Sequence, residues 1–271
     1  MLDLLPLLAL MIVVGGVAGV IAGLLGVGGG IVLVPVFFYT FTALGYTTPY
    51  MMQIAIATSL ATIVVTSARS VMSHNKKGAV DWLILRGWAP GIAVGAIIGV
   101  LVVGRLESRT LMALFGILGL CVSAYMAFGR SEWRLGDVMP TGIRRALTAP
   151  VIGLLSVMMG IGGGSFGVPL MTLYGTPIHR AVATAAGFGL IISAPSVIGF
   201  LFTGWGTPGR PEYSVGLVNI PVFLVIICMT MLTAPLGVKL AHALNPKPLK
   251  RIFAIFIGLV ALRMLISAFG A

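Results

Sequence analysis

The sequence predicts an all-α, polytopic transmembrane bundle made of two inverted repeats of five segments. Three observations predict it. Of the 271 residues, 59% are hydrophobic and 8% charged, and the mean hydropathy is +1.12. Soluble domains carry about a quarter charged residues. Apolar runs recur along the whole chain, as spanning helices require where no water satisfies the backbone. The third observation is self-similarity. Gly26-Val27-Gly28-Gly29-Gly30-Ile31-Val32-Leu33-Val34-Pro35 returns as Gly160-Ile161-Gly162-Gly163-Gly164-Ser165-Phe166-Gly167-Val168-Pro169, at an offset of 134 that Gly19 and Gly153 also keep. The alternating ten-residue strands of a transmembrane barrel are absent.

The first repeat, residues 1–129, holds apolar segments near 4–25, 31–43, 50–73, 83–104 and 110–129. A charged linker, 130–145, carries Arg130, Glu132, Arg134, Asp137, Arg144 and Arg145 and is placed in the cytoplasm. The second repeat, 146–271, holds segments near 146–159, 165–176, 180–203, 215–241 and 249–269. The match extends beyond the glycines. Ile56-Ala57-Thr58-Ser59 aligns with Val182-Ala183-Thr184-Ala185, and Ser67 with Ser193, at offset 126. Gly99 aligns with Gly237 and Leu111 with Leu249 at offset 138. The fall from 134 to 126 puts eight extra residues in the first half, around Phe41 to Pro49.

Five segments per half is an odd number, so the second repeat enters the membrane from the opposite side. The basic residues agree. With ten segments, eleven basic loop residues, among them Lys76, Arg145, Arg180 and Lys247, fall inside; Arg105, Arg109 and Arg210 fall outside. With four segments per half the split is seven to seven. Ten segments with both termini outside is therefore the expected topology.

Segment 31–43 would span about 20 Å as a helix, short of a hydrocarbon core of about 30 Å. Each glycine run is then the tip of a hairpin, and the two tips approach the midplane from opposite faces. Several glycines weaken a helix at about 1 kcal/mol each. Pro35 and Pro169, one turn into the short helices, each remove a further donor. Free N–H groups at a helix start, with the positive dipole end, attract anions. Unwound backbone within a membrane must be buried in protein or line a cavity, and paired broken segments point to a transporter site. The candidate substrate-binding residues are thus Gly28, Gly29, Gly30, Gly162, Gly163, Gly164 and Ser165, with Gly26, Pro35, Gly160 and Pro169 as the structural motif. Close helix packing is the other use of such glycines; it suits Gly91, Gly95 and Gly99 at spacing four.

Thr58, Ser59 and Thr184 offer hydroxyls to an oxyanion, or bond to their own helices. His179 aligns with Gln53, and both side chains hydrogen-bond anions; Arg180 adds charge or snorkels to headgroups. Arg69 and Arg263 also lie in apolar segments. All six acids, Asp3, Asp81, Glu107, Glu132, Asp137 and Glu212, lie at termini, in loops or near segment ends. Proton relays and many cation sites use carboxylates within spans, so the pattern favours an anionic substrate.

Other classes fit poorly. The net charge of +11 reflects loop residues that set orientation rather than nucleic-acid binding. Cys121 and Cys228 lie in apolar segments and form neither a disulfide framework nor a metal motif. Asp3 stands where a signal peptide needs positive charge. Gly163-Gly164-Ser165-Phe166-Gly167 spells G-x-S-x-G, the setting of some nucleophilic serines, with His74, His179 and His242 as the available bases. The matching position in the first half is Ile31, so the duplication does not need a serine.

The two G-x-G-G-G-x-x-x-x-P motifs, each followed by an Ala-Thr pair at Thr58 or Thr184, resemble those of the TauE/SafE family of sulfite exporters. The resemblance covers nearly the whole chain. It implies a multi-pass protein of the bacterial inner (plasma) membrane that moves sulfite, sulfonates or similar sulfur-containing anions, often outward. Its motif residues fall on Gly26, Gly28, Gly29, Gly30, Pro35, Gly160, Gly162, Gly163, Gly164 and Pro169. Family descriptions often give seven or eight spans; hydropathy that misses short segments accounts for the difference from ten.

The expectation is a secondary transporter of small anions, most simply sulfite or a sulfonate, exporting by alternating access. An anion channel of the same architecture and a membrane-embedded hydrolase using Ser165 are its rivals. The implied partners are a small anionic substrate and membrane lipid, with a homodimer left open. No cofactor, metal or nucleic acid is called for.

Overall fold

The computed structural model describes residues 4–25, 29–129, 133–243 and 246–270. Its helices are α1 (Leu4–Leu25), α2 (Gly30–Ala43), α3 (Met51–Lys76), α4 (Trp82–Val103), α5 (Ser108–Phe128), α6 (Gly142–Met158), α7 (Gly164–Leu173), α8 (Ile178–Thr203), α9 (Ile220–Ala243) and α10 (Pro246–Phe269). Each predicted segment is a helix, and the chain is a polytopic helical bundle. Among the described residues α3, α4, α5, α8 and the 220–237 part of α9 are each long and apolar enough to cross a membrane. α2 has 14 residues and α7 has 10, so they reach only about 21 and 15 Å.

Three of the boundary differences from the sequence reading bear on charged or predicted residues or on element type. α6 starts at Gly142, so Arg144 and Arg145 belong to its first turn rather than to the linker. Residues 215–219 are not helical: strands β1 (Ser214–Val215) and β2 (Val218–Asn219) form a hairpin ahead of α9. Apolar Val215, Leu217 and Val218 carry the same hydropathy as the helix they precede, so composition merges them. α8 begins at Ile178, which places His179 and Arg180 within its first turn.

The helices pack in a pattern that the duplication explains. α1 lies on α9 and α4 on α6, while α3 packs on α8 and α5 on α10. Replacing each helix by its counterpart five places on exchanges the first two pairs and returns the last two to themselves. The halves therefore interlock instead of forming separate cores. Small residues permit the closest crossings. A Cβ on Gly95 would run into the Pro150 carbonyl, and one on Gly91 would lie 2.7 Å from Ala149 Cβ. The aligned pair Gly19 and Gly153 does the same work, against Thr233 of α9 and the Ile92 carbonyl of α4 respectively.

The starts of α4 and α9 are built alike. Asp81 caps α4 by accepting from the Leu83 and Ile84 N–H groups, both at 3.1 Å. Asn219 caps α9 by accepting from the Val222 N–H at 3.1 Å. Each satisfies orphan donors of a first turn.

Candidate functional site

The two glycine tips meet at the centre of the bundle. Gly29 precedes α2 with φ 73°, a conformation that glycine adopts without strain. A Cβ on Gly30 would lie 2.6 Å from the Gly160 carbonyl oxygen, 2.8 Å from Ile63 Cδ1 and 3.0 Å from Ile161 Cα. The α2 tip thus rests on the turn between α6 and α7. That turn ends α6 in a Schellman motif: Ile161 N–H donates to the Ser156 carbonyl, Gly160 N–H to that of Val157, and Gly160 takes φ 62°. Gly163, at the start of α7, abuts Phe188 of α8, with Ala185 O and Gly189 N each 2.9 Å from a Cβ there. Residues 29–35 and 159–165 are buried, with Gly162, Gly164 and Pro35 among them; Pro169 is half-buried. Gly26 and Gly28 lie outside the described residues.

α3 and α8 hold this centre from either side. Ser59 donates to the Gly160 carbonyl at 2.8 Å, which spends its proton on the tip. Thr58 and Thr184 are buried and lie at matching positions. The Thr58 hydroxyl accepts from Asn219 N–H at 3.0 Å, and the Thr184 hydroxyl from Asp81 N–H at 2.9 Å. Each threonine thereby fixes the cap residue of a neighbouring helix. Asp81 and Asn219 are 138 residues apart, the offset that relates Gly99 to Gly237. That offset was the signal that could have found them.

Three buried hydroxyls, those of Ser156, Ser165 and Ser193, have no hydrogen-bond partner. Ser196 and Thr172 show the usual alternative, donating to carbonyls of their own helices. All three orphans belong to segments that converge on the α7 tip. Ser156 closes the last turn of α6, Ser165 sits in the first turn of α7, and Ser193 is one turn beyond Gly189 on α8. A buried polar group left unpaired costs about 1–3 kcal/mol and calls for an explanation. The Ser165 hydroxyl engages no base, as a nucleophile would require. Ser156 has no hydroxyl counterpart in the first half, so the repeat could not flag it.

The other predicted residues lie away from the tips. Gln53, in the first turn of α3, donates to the Leu106 carbonyl at 2.6 Å and accepts from Ser108 at 2.9 Å, tying α3 to the start of α5. His179 and Arg180 are exposed in the first turn of α8. Gly163 packs five to nine residues further along that helix, about 8–13 Å away. Arg180 pairs with Asp81 at 3.2 Å, and both line an open pocket of about 370 Å³ with Arg145 and Tyr174. Arg263 lies over the Tyr39 ring at 4.7 Å.

Comparison with known proteins agrees with this architecture. A probable membrane transporter protein of Haemophilus influenzae is 33% identical over 258 residues, covering 95% of this chain and 98% of its own. One of Methanocaldococcus jannaschii is 30% identical, covering 97% of each chain. A third, from Bacillus subtilis, is 28% identical over 72% of this chain and 78% of its own. No solved structure matches. The relatives' names indicate a transporter rather than an enzyme. The model of the sulfite exporter TauE/SafE family matches residues 11–264, and with its fold of repeated glycine tips the chain belongs to that family of membrane transporters.

Proposed function

We propose that the chain is a secondary transporter of small anions, with sulfite or an organic sulfonate as substrate, and that the anion binds at the α7 tip between the two repeats, 1–129 and 146–271. The observation that carries this reading is the set of orphan hydroxyls. Ser156, Ser165 and Ser193 are buried donors without acceptors, on three segments that meet at the start of α7, whose positive dipole end attracts anions. An oxyanion supplies the missing acceptors. The short helices support alternating access, because neither α2 nor α7 is long enough to span a bilayer, as in the broken segments of transporters. The family's description as a sulfite exporter supports a sulfur-containing substrate by analogy, and the reading places the protein in an inner (plasma) membrane. Direct binding to purified protein over sulfite, thiosulfate, sulfate, sulfonates and carboxylates tests the substrate class. Uphill flux in proteoliposomes tests the transporter; flux that only ever follows the gradient would make it a channel.

A further inference from the structure

We propose that the tip site selects singly charged anions and rejects dianions, so that sulfite is carried as hydrogensulfite. This rests on the reading of the tip as an anion site. The fourteen buried polar side chains among the described residues are all Ser, Thr, Asn or Gln. None carries a formal charge. The arginines, with Lys76 and Lys77, are exposed or half-buried wherever their burial is described; Arg210 donates to the carbonyls of Gly204 and Gly216, and Arg180 pairs with Asp81. The site can thus offer only hydroxyls, backbone N–H groups and helix ends.

The N-terminus of α2 rests on the Gly160–Ile161 turn, three residues ahead of the N-terminus of α7, and Ser165, 5% exposed and unpartnered, stands in the first turn of α7. Each N-terminus carries roughly half an elementary charge. Together they offset about one negative charge, which leaves a dianion with about one uncompensated charge in a low-dielectric interior. The cost of moving an ion out of water rises with the square of its charge, so a dianion loses about four times what a monoanion loses. Three neutral hydroxyls match the acceptor oxygens of one sulfo group and do not repay that difference.

Hydrogensulfite loses its proton near neutral pH, so its charge changes in a range where the site itself does not titrate. The titratable side chains facing the tip from the helices packed about it sit toward helix ends: Tyr39 of α2 with Arg263 of α10 over its ring, Arg69, His74 and Lys76 of α3, Arg144 and Arg145 of α6, and His179 and Arg180 of α8. None of them is buried.

The test is binding to the full-length protein in nanodiscs, by calorimetry, from mildly acidic to mildly alkaline pH. Methanesulfonate stays a monoanion and sulfate stays a dianion across this range, and the two are nearly the same shape. Methanesulfonate is expected to bind independently of pH and to lose affinity in Ser165→Ala. Sulfate is expected to bind at least about tenfold more weakly. The apparent affinity for total sulfite is expected to fall by about tenfold per pH unit once the dianion dominates, because only the competent fraction binds. Sulfate binding as tightly as methanesulfonate, or sulfite affinity that holds steady with rising pH, overturns the charge selection while leaving an anion site in place. Failure of methanesulfonate and sulfite alike to bind overturns the site itself.

Discussion

Removing single hydroxyls separates the groups that hold the fold from those left for a ligand. The Thr58 hydroxyl accepts from Asn219 N–H and that of Thr184 from Asp81 N–H, both fully buried. Thr58→Val or Thr184→Val keeps the volume and strands a buried backbone donor. The loss is ~1–3 kcal/mol, and Tm falls by roughly 2–4 °C per kcal/mol in a chain of this size. Ser165 differs in that its hydroxyl bonds to nothing. Ser165→Ala removes an unsatisfied group, so stability should hold or rise, while a lost bond to a charged ligand costs about 1.5–3 kcal/mol, or roughly tenfold to a hundredfold in affinity. Thermal unfolding followed by tryptophan fluorescence, paired with anion calorimetry on the same samples, reads both quantities. Thr58→Ser restores the acceptor and should recover most of the stability. The reasoning is refuted if Ser165→Ala unfolds as early as Thr58→Val yet binds anion normally, because the serine would then be a structural hydroxyl and the tip no site.

Other consequences are simpler. Gly95→Ala drives a methyl into the Pro150 carbonyl of α6, a backbone atom that cannot turn aside, and should lower stability by about 1–3 kcal/mol with little change in affinity; an unchanged melting curve would contradict the packing. Asp81→Asn loses the exposed Arg180 pair but keeps a capping side chain, as Asn219 shows in the other half, so it should cost under about 1 kcal/mol and leave flux intact. Asp81→Ala also loses the cap, adding about 1 kcal/mol; equal effects of the two variants would show that the pair, not the cap, matters. In a background lacking Cys121 and Cys228, single cysteines at Arg105 and Arg210 should react with an impermeant reagent from outside, and one at Lys76 should not; all three sites are exposed or half-buried. Labelling at Lys76 equal to that at Arg210 would invalidate the inside–outside count.

The architecture was legible because it rests on two coarse signals that local context does not disturb. Apolar length gave the ten helices, and glycine spacing marked the repeat and the close crossings, as Gly91, Gly95, Gly99, Gly19 and Gly153 confirm at the α4–α6 and α1–α9 contacts. The site was legible only in part. Sequence grouped Ser59 with the tips as a donor to an oxyanion, whereas its proton goes to the Gly160 carbonyl. It could not tell that His179 and Arg180 end a full helical stretch away from Gly163, because alignment of the halves gives register without depth. Nor could it separate Thr58 and Thr184, whose oxygens are engaged, from Ser156, Ser165 and Ser193, whose hydroxyls are not. That distinction depends on which backbone groups arrive from other segments. The 215–219 hairpin was missed for a related reason, since hydropathy does not register the turn at Gly216, φ 57°.

Departures from the internal symmetry carry the functional argument further than the symmetry does. The matched parts are structural: Thr58 with Asn219 repeats Thr184 with Asp81, and the glycine crossings exchange in pairs. The unmatched parts lie where a ligand would need them. Ser165 stands in the first turn of α7, whereas the aligned Ile31 of α2 is apolar and 3% exposed. A hydroxyl there serves no role that the repeat demands, since α2 of the first half begins without one. The same holds for Arg180, which pairs with Asp81 where the other half has Ile54 and Asn219. One end of the molecule therefore carries an ion pair, and at the other the Asn219 amide caps α9 and donates to Glu212 O and Ser214 Oγ. Both asymmetries fall on α7 and α8, where the proposed anion site lies, rather than on the common frame.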